Sequence, residues 1–326
     1  MAEIRVGLIG IGGMGGCHYG NYKDVKGAKL VAVADVREDM AKEKTNGTGI
    51  TVYKDYKEMI EKENLDMVDI CTPSYMHADM AIYCLGKGLH VLCEKPMTIN
   101  EDEAKKVLEA ASKTDKYFMA AHVVRFMAPY AYLRSVIESG ELGKLLRLDM
   151  KRISGIPTWS WEDWMRKEDR SGGVVTDLSI HDIDYVQSIL GMPDKIMSAK
   201  YSFRENNDFV QTEMIYGDTL VSCEGTWYNA PVSFRAIYTA VFQNGIVDST
   251  ADGIYKNGKK IEDEKKEEAK ELDLGINISN DNGYLNEIQY FVDCVNKGVS
   301  PDFVTPESSA NTIKLVDEIK RVAVKF

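Results

Sequence analysis

Three glycines near the start of the chain constrain its fold more than any other feature. A short apolar run, residues 6–9, is followed by Gly10-Ile11-Gly12-Gly13-Met14-Gly15, which fits the pattern G-x-G-x-x-G. In this pattern the glycines permit a tight turn, a close approach of phosphate to the backbone, and close packing of a helix on a strand. Asp35 follows by about 20 residues, at the end of the next apolar run, where a ribose-binding carboxylate is expected. The pattern predicts a Rossmann domain whose glycine motif and Asp35 bind NAD; a glycine-rich turn without a ligand is the alternative.

The choice between NAD and NADP depends on two residues. Asp35 is expected to accept hydrogen bonds from the ribose hydroxyls, and its negative charge would repel a 2′-phosphate. Arg37 is able to pair with a 2′-phosphate, although we prefer to interpret it as a solvent-exposed loop charge. NAD is therefore the predicted cofactor and NADP the second choice, with Arg37 included among the cofactor-binding candidates.

The first third of the chain alternates short apolar runs with longer amphipathic segments. This alternation is typical of a parallel sheet wrapped by helices. Six strands are predicted, over residues 6–9, 30–34, 51–53, 67–71, 90–93 and 118–121. Residues 101–112 have helical spacing, and Asn100 is placed to cap that helix. We therefore expect a doubly wound α/β domain.

After about His122 the pattern changes to strand-like segments. These predict a mostly antiparallel sheet, over residues 145–153, 196–203, 212–216, 220–227 and 236–241. Asn257-Gly258 predicts a hairpin with a type I′ turn, the charged run 262–271 a solvated edge or loop, and residues 284–296 and 307–324 two helices. We expect an NAD-binding domain over 1–122 and a substrate-binding and oligomerisation domain over 123–326. The C-terminal helix could pack back on the first domain.

Charge and cysteine usage exclude several classes of protein. The chain has 51 acidic and 40 basic side chains and a net charge of −11, which repels nucleic acids and anionic membranes. Neither a signal peptide nor a membrane span is expected from the apolar runs. The six cysteines show no C-x-x-C pair and no histidine cluster with zinc spacing. We expect a cytoplasmic protein with reduced cysteines and no metal site.

Four further motifs, taken in order, carry a family resemblance. They are Cys71-Thr72-Pro73, Glu94-Lys95-Pro96, Arg125-Phe126-x-x-Pro129-Tyr130, and the segment 171–184 with the pattern G-G-x-x-x-D-x-x-x-H-x-x-D. With these motifs the whole chain resembles the Gfo/Idh/MocA oxidoreductase family. The resemblance implies an N-terminal Rossmann domain, a C-terminal α+β domain built on a large open sheet, and a substrate cleft between them. It also implies a cis peptide bond after Lys95.

Ligands of a doubly wound sheet lie outside the carboxyl ends of its strands. The residues expected there, as further cofactor contacts, are Thr72, Pro73, His77, Glu94 and Lys95. A lysine in this place is either an ordinary surface lysine or a group that directs its ammonium at a substrate hydroxyl. Its position in the Glu94-Lys95-Pro96 motif favours the second interpretation.

The last of the four motifs contains a second set of candidates. Asp177 and His181 are four residues apart, so on an α-helix they lie on one face and are able to touch. This spacing suits a carboxylate that orients a catalytic imidazole; a metal pair and a purely structural histidine are the alternatives. Asp184 lies on the same face and is a candidate to accept hydrogen bonds from other substrate hydroxyls.

Oxidation of a secondary alcohol needs a group that accepts the hydroxyl proton, and histidine has a suitable pKa. We expect His181 to accept the proton, Asp177 to orient it, and Lys95 to stabilise the oxygen, although Lys95 could instead carry the proton. The candidate substrate contacts also include Arg125, Tyr228, Tyr238 and the aromatic segment 159–164, with Trp161 foremost. A packed loop of tryptophans is the alternative for that segment.

The resemblance is strongest to inositol and sugar dehydrogenases, which implies a cyclic polyol or a sugar as substrate. It also implies a homodimer or homotetramer formed through the C-terminal sheet. Two other functions remain open from sequence. One is a redox-neutral enzyme that keeps NAD bound and acts on glycosides. The other is a noncatalytic NAD-sensing regulator, which has no need of Lys95, Asp177 and His181.

Overall fold

A computed structural model describes residues 3–204, 207–261 and 282–325. The chain divides into two compact units. Unit 1 comprises Met1–His122 and Tyr284–Ala310, and unit 2 comprises Val123–Gly283 and Asn311–Phe326. Residues 284–310 therefore cluster with the N-terminal part of the chain, whereas the sequence-based boundary placed them in the second domain. The charged run 262–271 lies outside the described residues.

Unit 1 is built on a six-stranded sheet with the order β3-β2-β1-β4-β5-β6. Its strands are β1 (Ile4–Ile9), β2 (Ala28–Ala34), β3 (Thr51–Tyr53), β4 (Met67–Ile70), β5 (His90–Glu94) and β6 (Phe118–Ala121). All neighbouring strands are parallel, so their carboxyl ends lie at one edge of the sheet. This is the doubly wound order of a dinucleotide-binding domain. The six predicted strands are confirmed, with ends that differ by at most two residues.

Helices connect these strands, as the apolar spacing predicts. They are α1 (Gly13–Asn21), α2 (Glu38–Lys44), α3 (Tyr56–Lys62), α4 (His77–Gly86) and α5 (Glu101–Ser112). The Asn100 side chain accepts a hydrogen bond from the Glu103 amide at 2.9 Å, so the predicted cap of α5 is confirmed. α9 (Gly283–Lys297) lies almost wholly in unit 1 and buries Ile288 and Phe291 completely.

Unit 2 is built on a nine-stranded sheet with the order β14-β13-β12-β11-β7-β10-β9-β8-β15. Its strands are β7 (Leu145–Gly155), β8 (Lys195–Arg204), β9 (Asn207–Tyr216), β10 (Thr219–Tyr228), β11 (Arg235–Phe242), β12 (Gly245–Thr250), β13 (Gly253–Lys256), β14 (Lys259–Lys260) and β15 (Val324–Lys325). The pairs β7–β10 and β8–β15 are parallel and the others antiparallel. The predicted mostly antiparallel sheet is therefore confirmed.

The remaining helices are α6 (Ala128–Ser139), α7 (Glu168–Ser171), α8 (Ile180–Leu190) and α10 (Pro306–Val322). Gly140 ends α6 in a left-handed conformation, with φ 66°. Asn257 and Gly258 also have positive φ, 51° and 76°, so the hairpin of β13 and β14 has the predicted turn.

Candidate active site

The glycine motif forms the connection between β1 and α1 in unit 1. Gly10 has φ 87°, in the left-handed region, and its amide donates to the Ala34 carbonyl at 2.7 Å. A Cβ at Gly15 would collide with the Gly10 carbonyl oxygen. Glycine at this position therefore lets α1 pack against the loop more closely than any other residue would allow. The first turn of α1 contains no acidic residue, and its amide groups suit an anion. The loop therefore fits a dinucleotide pyrophosphate.

Asp35 follows β2 directly and is bonded to this loop. Its Oδ2 accepts a hydrogen bond from the Ile11 amide at 3.0 Å, and its Oδ1 accepts one from the Arg37 amide at 2.9 Å. The Arg37 guanidinium lies over the same carboxylate, with Nε 3.2 Å from Oδ1. Our preferred interpretation of Arg37 as a solvent-exposed loop charge needs qualification, because the side chain is 33% exposed and forms an ion pair with Asp35.

Lys44 is a residue of this loop that sequence reasoning missed. From α2, its Nζ donates to the carbonyl of Ile11 at 2.7 Å and to that of Gly12 at 3.3 Å. The ammonium thus lies beside the glycine loop, where it would add positive charge near a bound phosphate. No motif signals this residue, because its position depends on how α2 packs after β2.

His77 joins the loops that follow β4 and β5. Its Nδ1 lies 2.7 Å from the Pro96 carbonyl oxygen, and its Nε2 lies 2.8 Å from that of Thr72. Burial lowers the pKa of His77, and a neutral ring donates to one carbonyl at a time. The ring is 1% exposed, so the structure makes His77 a clamp between the two loops that carry Thr72-Pro73 and Lys95-Pro96. This placement argues against a direct contact with cofactor.

Lys95 follows β5, and the Lys95–Pro96 peptide bond is cis, as the resemblance implied. The Lys95 side chain is half-buried, which differs from the freely exposed lysine of the alternative interpretation. Its backbone amide donates to Glu94 Oε2 at 2.9 Å, and Glu94 is buried. Glu94 therefore holds the backbone from which the lysine side chain projects.

Asp177 and His181 lie on one helical segment of unit 2, but its geometry differs from that expected. Residues Val175–Ser179 form a π-helix that continues into α8. The assumption of a regular α-helix through both residues was therefore wrong, since a π-turn has i→i+5 hydrogen bonds, and such turns are frequent at functional sites. Asp177 is buried, whereas His181, in the first turn of α8, is half-buried.

A buried ion pair holds α8 on the sheet. Arg152 of β7 donates to Asp182 Oδ1 at 2.7 Å and to the Tyr130 hydroxyl at 2.9 Å. The Asp182 carboxylate raises the pKa of Arg152 against the opposing effect of burial. The pair thereby anchors the first turn of α8, which also contains His181.

Asp184, a predicted substrate contact, is used inside unit 2. Its Oδ2 accepts from Arg125 Nε at 2.8 Å, and its Oδ1 accepts from an Arg125 terminal nitrogen at 2.6 Å and from the Thr312 hydroxyl at 2.9 Å. Asp184 is 0% exposed and Arg125 2% exposed. Tyr238 is also buried, and its hydroxyl donates to the Pro129 carbonyl at 2.7 Å. This burial argues against direct substrate contact by all three residues.

The aromatic segment lies at the surface. Trp159 is 68% exposed, Trp161 39% exposed, and the weaker candidate Tyr228 38% exposed. Glu162 and Asp163 have positive φ values of 51° and 58°, which non-glycine residues rarely adopt. A packed loop of tryptophans was the alternative for this segment, and the exposure of these two rings does not fit it.

The comparisons with known proteins assign the chain to a family. The GFO_IDH_MocA family model, described as an oxidoreductase family with an NAD-binding Rossmann fold, matches residues 4–122. The model of the GFO/IDH/MocA C-terminal domain matches residues 130–245. The chain belongs to the GFO/IDH/MocA oxidoreductase family. Residues 4–122 therefore form the NAD-binding Rossmann domain of a GFO/IDH/MocA protein.

Several named dehydrogenases are similar to the chain. It is 34% identical over 191 residues to myo-inositol 2-dehydrogenase of Thermotoga maritima, which covers 58% of this chain and 55% of that protein. It is 31% identical over 219 residues to scyllo-inositol 2-dehydrogenase (NAD(+)) of Bacillus subtilis, which covers 66% and 61%. Both matches span less than two thirds of the relative's own length.

Solved structures show the same fold. The crystal structure of myo-inositol 2-dehydrogenase from Lactobacillus plantarum superposes with a TM-score of 0.79 and 22% identity, over 98% of this chain and 97% of that one. At this identity the likeness supports the fold alone. Among the described residues, no helix is long and apolar enough to cross a membrane.

Proposed function

We propose that the protein is an NAD-dependent oxidoreductase that acts on a secondary hydroxyl of a cyclic polyol or sugar, with an inositol as the first choice. One observation carries the proposal. The glycine loop after β1, Asp35 after β2 and Lys95 after β5 all follow parallel strands of one sheet, so they lie at its carboxyl edge. Dinucleotides bind at this edge. The inositol dehydrogenases among the relatives support the substrate class.

The cofactor is proposed to bind along the first two βα connections. The amides of Gly12, Gly13 and Met14 would receive the pyrophosphate at the start of α1. Asp35 would accept hydrogen bonds from the adenosine ribose, which favours NAD. Arg37, already paired with Asp35, is less available to a 2′-phosphate than a free arginine would be.

NAD, when bound, supplies the hydride acceptor for alcohol oxidation. We propose Lys95, Asp177 and His181 as the catalytic residues. His181 would take the hydroxyl proton, and Asp177 would orient the ring and stabilise its charged form. Lys95 would donate a hydrogen bond to the substrate oxygen and stabilise the negative charge that develops there. Exposed Trp161 is proposed to contact the substrate's C–H face.

Compartment and assembly are further parts of the proposal. All six cysteines are free thiols, which supports a reducing compartment such as the cytoplasm. We propose a homodimer or homotetramer formed through the nine-stranded sheet of unit 2. Burial alternates along β9 and β10, and one face of these strands keeps partly exposed side chains that a second copy could cover. Light scattering after gel filtration tests the assembly, and a monomer would contradict it.

The activity is tested with a panel of inositols, aldoses and glycosides in the presence of NAD, measured as NADH absorbance. We expect turnover with at least one cyclic polyol. Lys95→Ala is expected to lower kcat by roughly 10² to 10⁴, the usual contribution of a positioned proton-handling group, with NAD affinity within a few-fold of the parent. Equal losses of NAD binding and turnover would make Lys95 structural. Consumption of a glycoside without net NADH would contradict a dehydrogenase.

A further inference from the structure

A cluster of four ionisable side chains is buried in unit 1. Three carboxyl groups, from Asp69 of β4, Glu94 of β5 and Glu287 of α9, surround His18 of α1. His18 Nδ1 lies 2.9 Å from Asp69 Oδ2, and its Nε2 lies 3.1 Å from Glu94 Oε1 and 4.0 Å from Glu287 Oε1. His18, Asp69 and Glu287 are completely buried, and Glu94 nearly so. The sequence gives no hint of the cluster, because its members come from distant parts of the chain.

The geometry favours a charged imidazole. A neutral histidine has one N–H, so one of the two carboxylates at hydrogen-bonding distance would face a lone pair. Leaving a buried carboxylate in that state is costly. Burial alone would lower the pKa of His18, but the charge of Asp69 and the hydrogen bond to it raise the pKa well above its usual value. We therefore assign His18 as an imidazolium that donates to Asp69 and to Glu94.

The other groups around His18 are consistent with this charge. The Tyr22 hydroxyl donates to Asp69 Oδ2 at 2.9 Å. Among the described residues, neither carboxyl oxygen of Glu287 has a hydrogen-bond partner. Burial, with the nearby charge of Glu94, raises the pKa of Glu287 well above its usual value, which favours its neutral form. His18 then supplies the positive charge that the carboxylates of Asp69 and Glu94 share.

The cluster continues to Lys95 through Glu94. Glu94 Oε1 is bound by His18, and its Oε2 accepts the Lys95 backbone amide at 2.9 Å. Beyond Lys95, the Pro96 carbonyl oxygen lies 2.7 Å from His77 Nδ1. The backbone is therefore held on both sides of Lys95. Without His18, Glu94 would be free to rotate away from the Lys95 amide, and a shift of about 1 Å at a reacting group can cost 10²-fold in rate.

We propose that His18 is a positioning residue for Lys95, acting through the Glu94 carboxylate. The proposal rests on the proposed function, since it presumes that the Lys95 ammonium takes part in the reaction. It gives the histidine of α1 a role in turnover without a contact to substrate or cofactor. Asp69 keeps His18 charged and oriented, in the way that a buried carboxylate orients a catalytic imidazole.

The test is a double-mutant cycle of His18→Gln and Lys95→Ala, with kcat and NADH affinity measured for each variant. We expect His18→Gln to lower kcat by about 10- to 100-fold, with NADH affinity within a few-fold of the parent. In the double variant the loss should be no greater than for Lys95→Ala alone, because there is no longer an ammonium to position. His90→Gln is the matched control. His90 is at the opposite end of β5, where its Nδ1 accepts from the Tyr117 amide, and this variant should keep the parental kcat.

The outcomes separate the two proposals. If Lys95→Ala is impaired but the losses in the double variant are multiplicative, or if His18→Gln keeps the parental rate, the positioning role is overturned. The catalytic role of Lys95 then stands by itself. A parental rate for Lys95→Ala overturns the catalytic role of Lys95 and the positioning with it. A second measurement needs neither activity nor a folded variant. In ¹⁵N spectra of the histidine-labelled parent, we expect one of the five histidines to keep both ring nitrogens protonated at pH 8. A spectrum without such a histidine overturns the proposal.

Discussion

Replacing Arg125 by methionine distinguishes an internal ion pair from a substrate-binding arginine. Arg125 donates two hydrogen bonds to Asp184, at 2.8 and 2.6 Å, and both residues are at most 2% exposed. Arg125→Met would leave the Asp184 carboxylate buried, with Thr312 as its remaining hydrogen-bond donor among those shown above. Breaking such a pair costs about 3–5 kcal/mol. For a unit of this size 1 kcal/mol corresponds to about 2–4 °C in Tm, so we expect a loss of roughly 6–20 °C by calorimetry.

The matched variant is Arg125→Met with Asp184→Leu, which removes both charges and keeps apolar volume. Replacing a buried pair by apolar side chains is often neutral or stabilising, so the double variant should recover at least half of the lost Tm. A substrate-binding arginine would behave differently. If Arg125→Met keeps Tm within about 2 °C of the parent and mainly raises KM for the polyol, the pair is not an internal support and our reasoning from burial is refuted.

Three further predictions concern the cofactor, the catalytic pair and pH. Asp35→Ser should weaken NAD and improve NADP when both are titrated, because it frees the Arg37 guanidinium; an unchanged preference would contradict the ribose assignment. Asp177→Asn and His181→Ala should each lower kcat, and the loss in the double variant should be clearly less than the product of the two single losses. If His181→Ala keeps the parental turnover and the parental acid limb of the pH profile, His181 is not the proton acceptor and Lys95 is assigned that role. Burial raises the pKa of Asp208 to about 6, so the folded state binds the proton of this carboxyl more tightly than the unfolded chain does. The free energy of unfolding therefore falls as pH rises through about 4 to 6, where the carboxyl loses its proton. The Tm gain of Asp208→Asn should therefore grow from pH 4 to pH 8, and a pH-independent gain would contradict the raised pKa.

Much of the secondary structure was predictable because its signals are local. The cap of α5 at Asn100 needs only a side chain that reaches the first turn, and the hairpin at Asn257-Gly258 needs only residues that tolerate positive φ. The glycine motif and Asp35 were recognisable for the same reason, since a strand, a turn and a helix that follow one another must meet. The π-helix at Val175–Ser179 was not predictable, because apolar spacing over five residues does not distinguish it from an α-helix.

The differences from expectation concern side chains whose partners are distant in sequence. Asp184 and Tyr238 had the residue types of a sugar site, but the fold gives them Arg125, Thr312 and the Pro129 carbonyl as partners. Arg37 was interpreted by its own charge, whereas its position over Asp35 depends on the turn after β2. In each case a polar side chain that suits a substrate suits an internal partner equally well.

The sequence by itself determined the class of fold, the glycine loop and the family, because periodicity, turn residues and short motifs act between neighbours along the chain. Only the tertiary structure decided which carboxylates remain available and which are buried in ion pairs. It also brought Glu287 beside His18 of α1, because α9, which carries Glu287, packs within unit 1. The physical reason is that the charge state of a buried group depends on the groups packed around it, and packing joins residues that no sequence spacing relates.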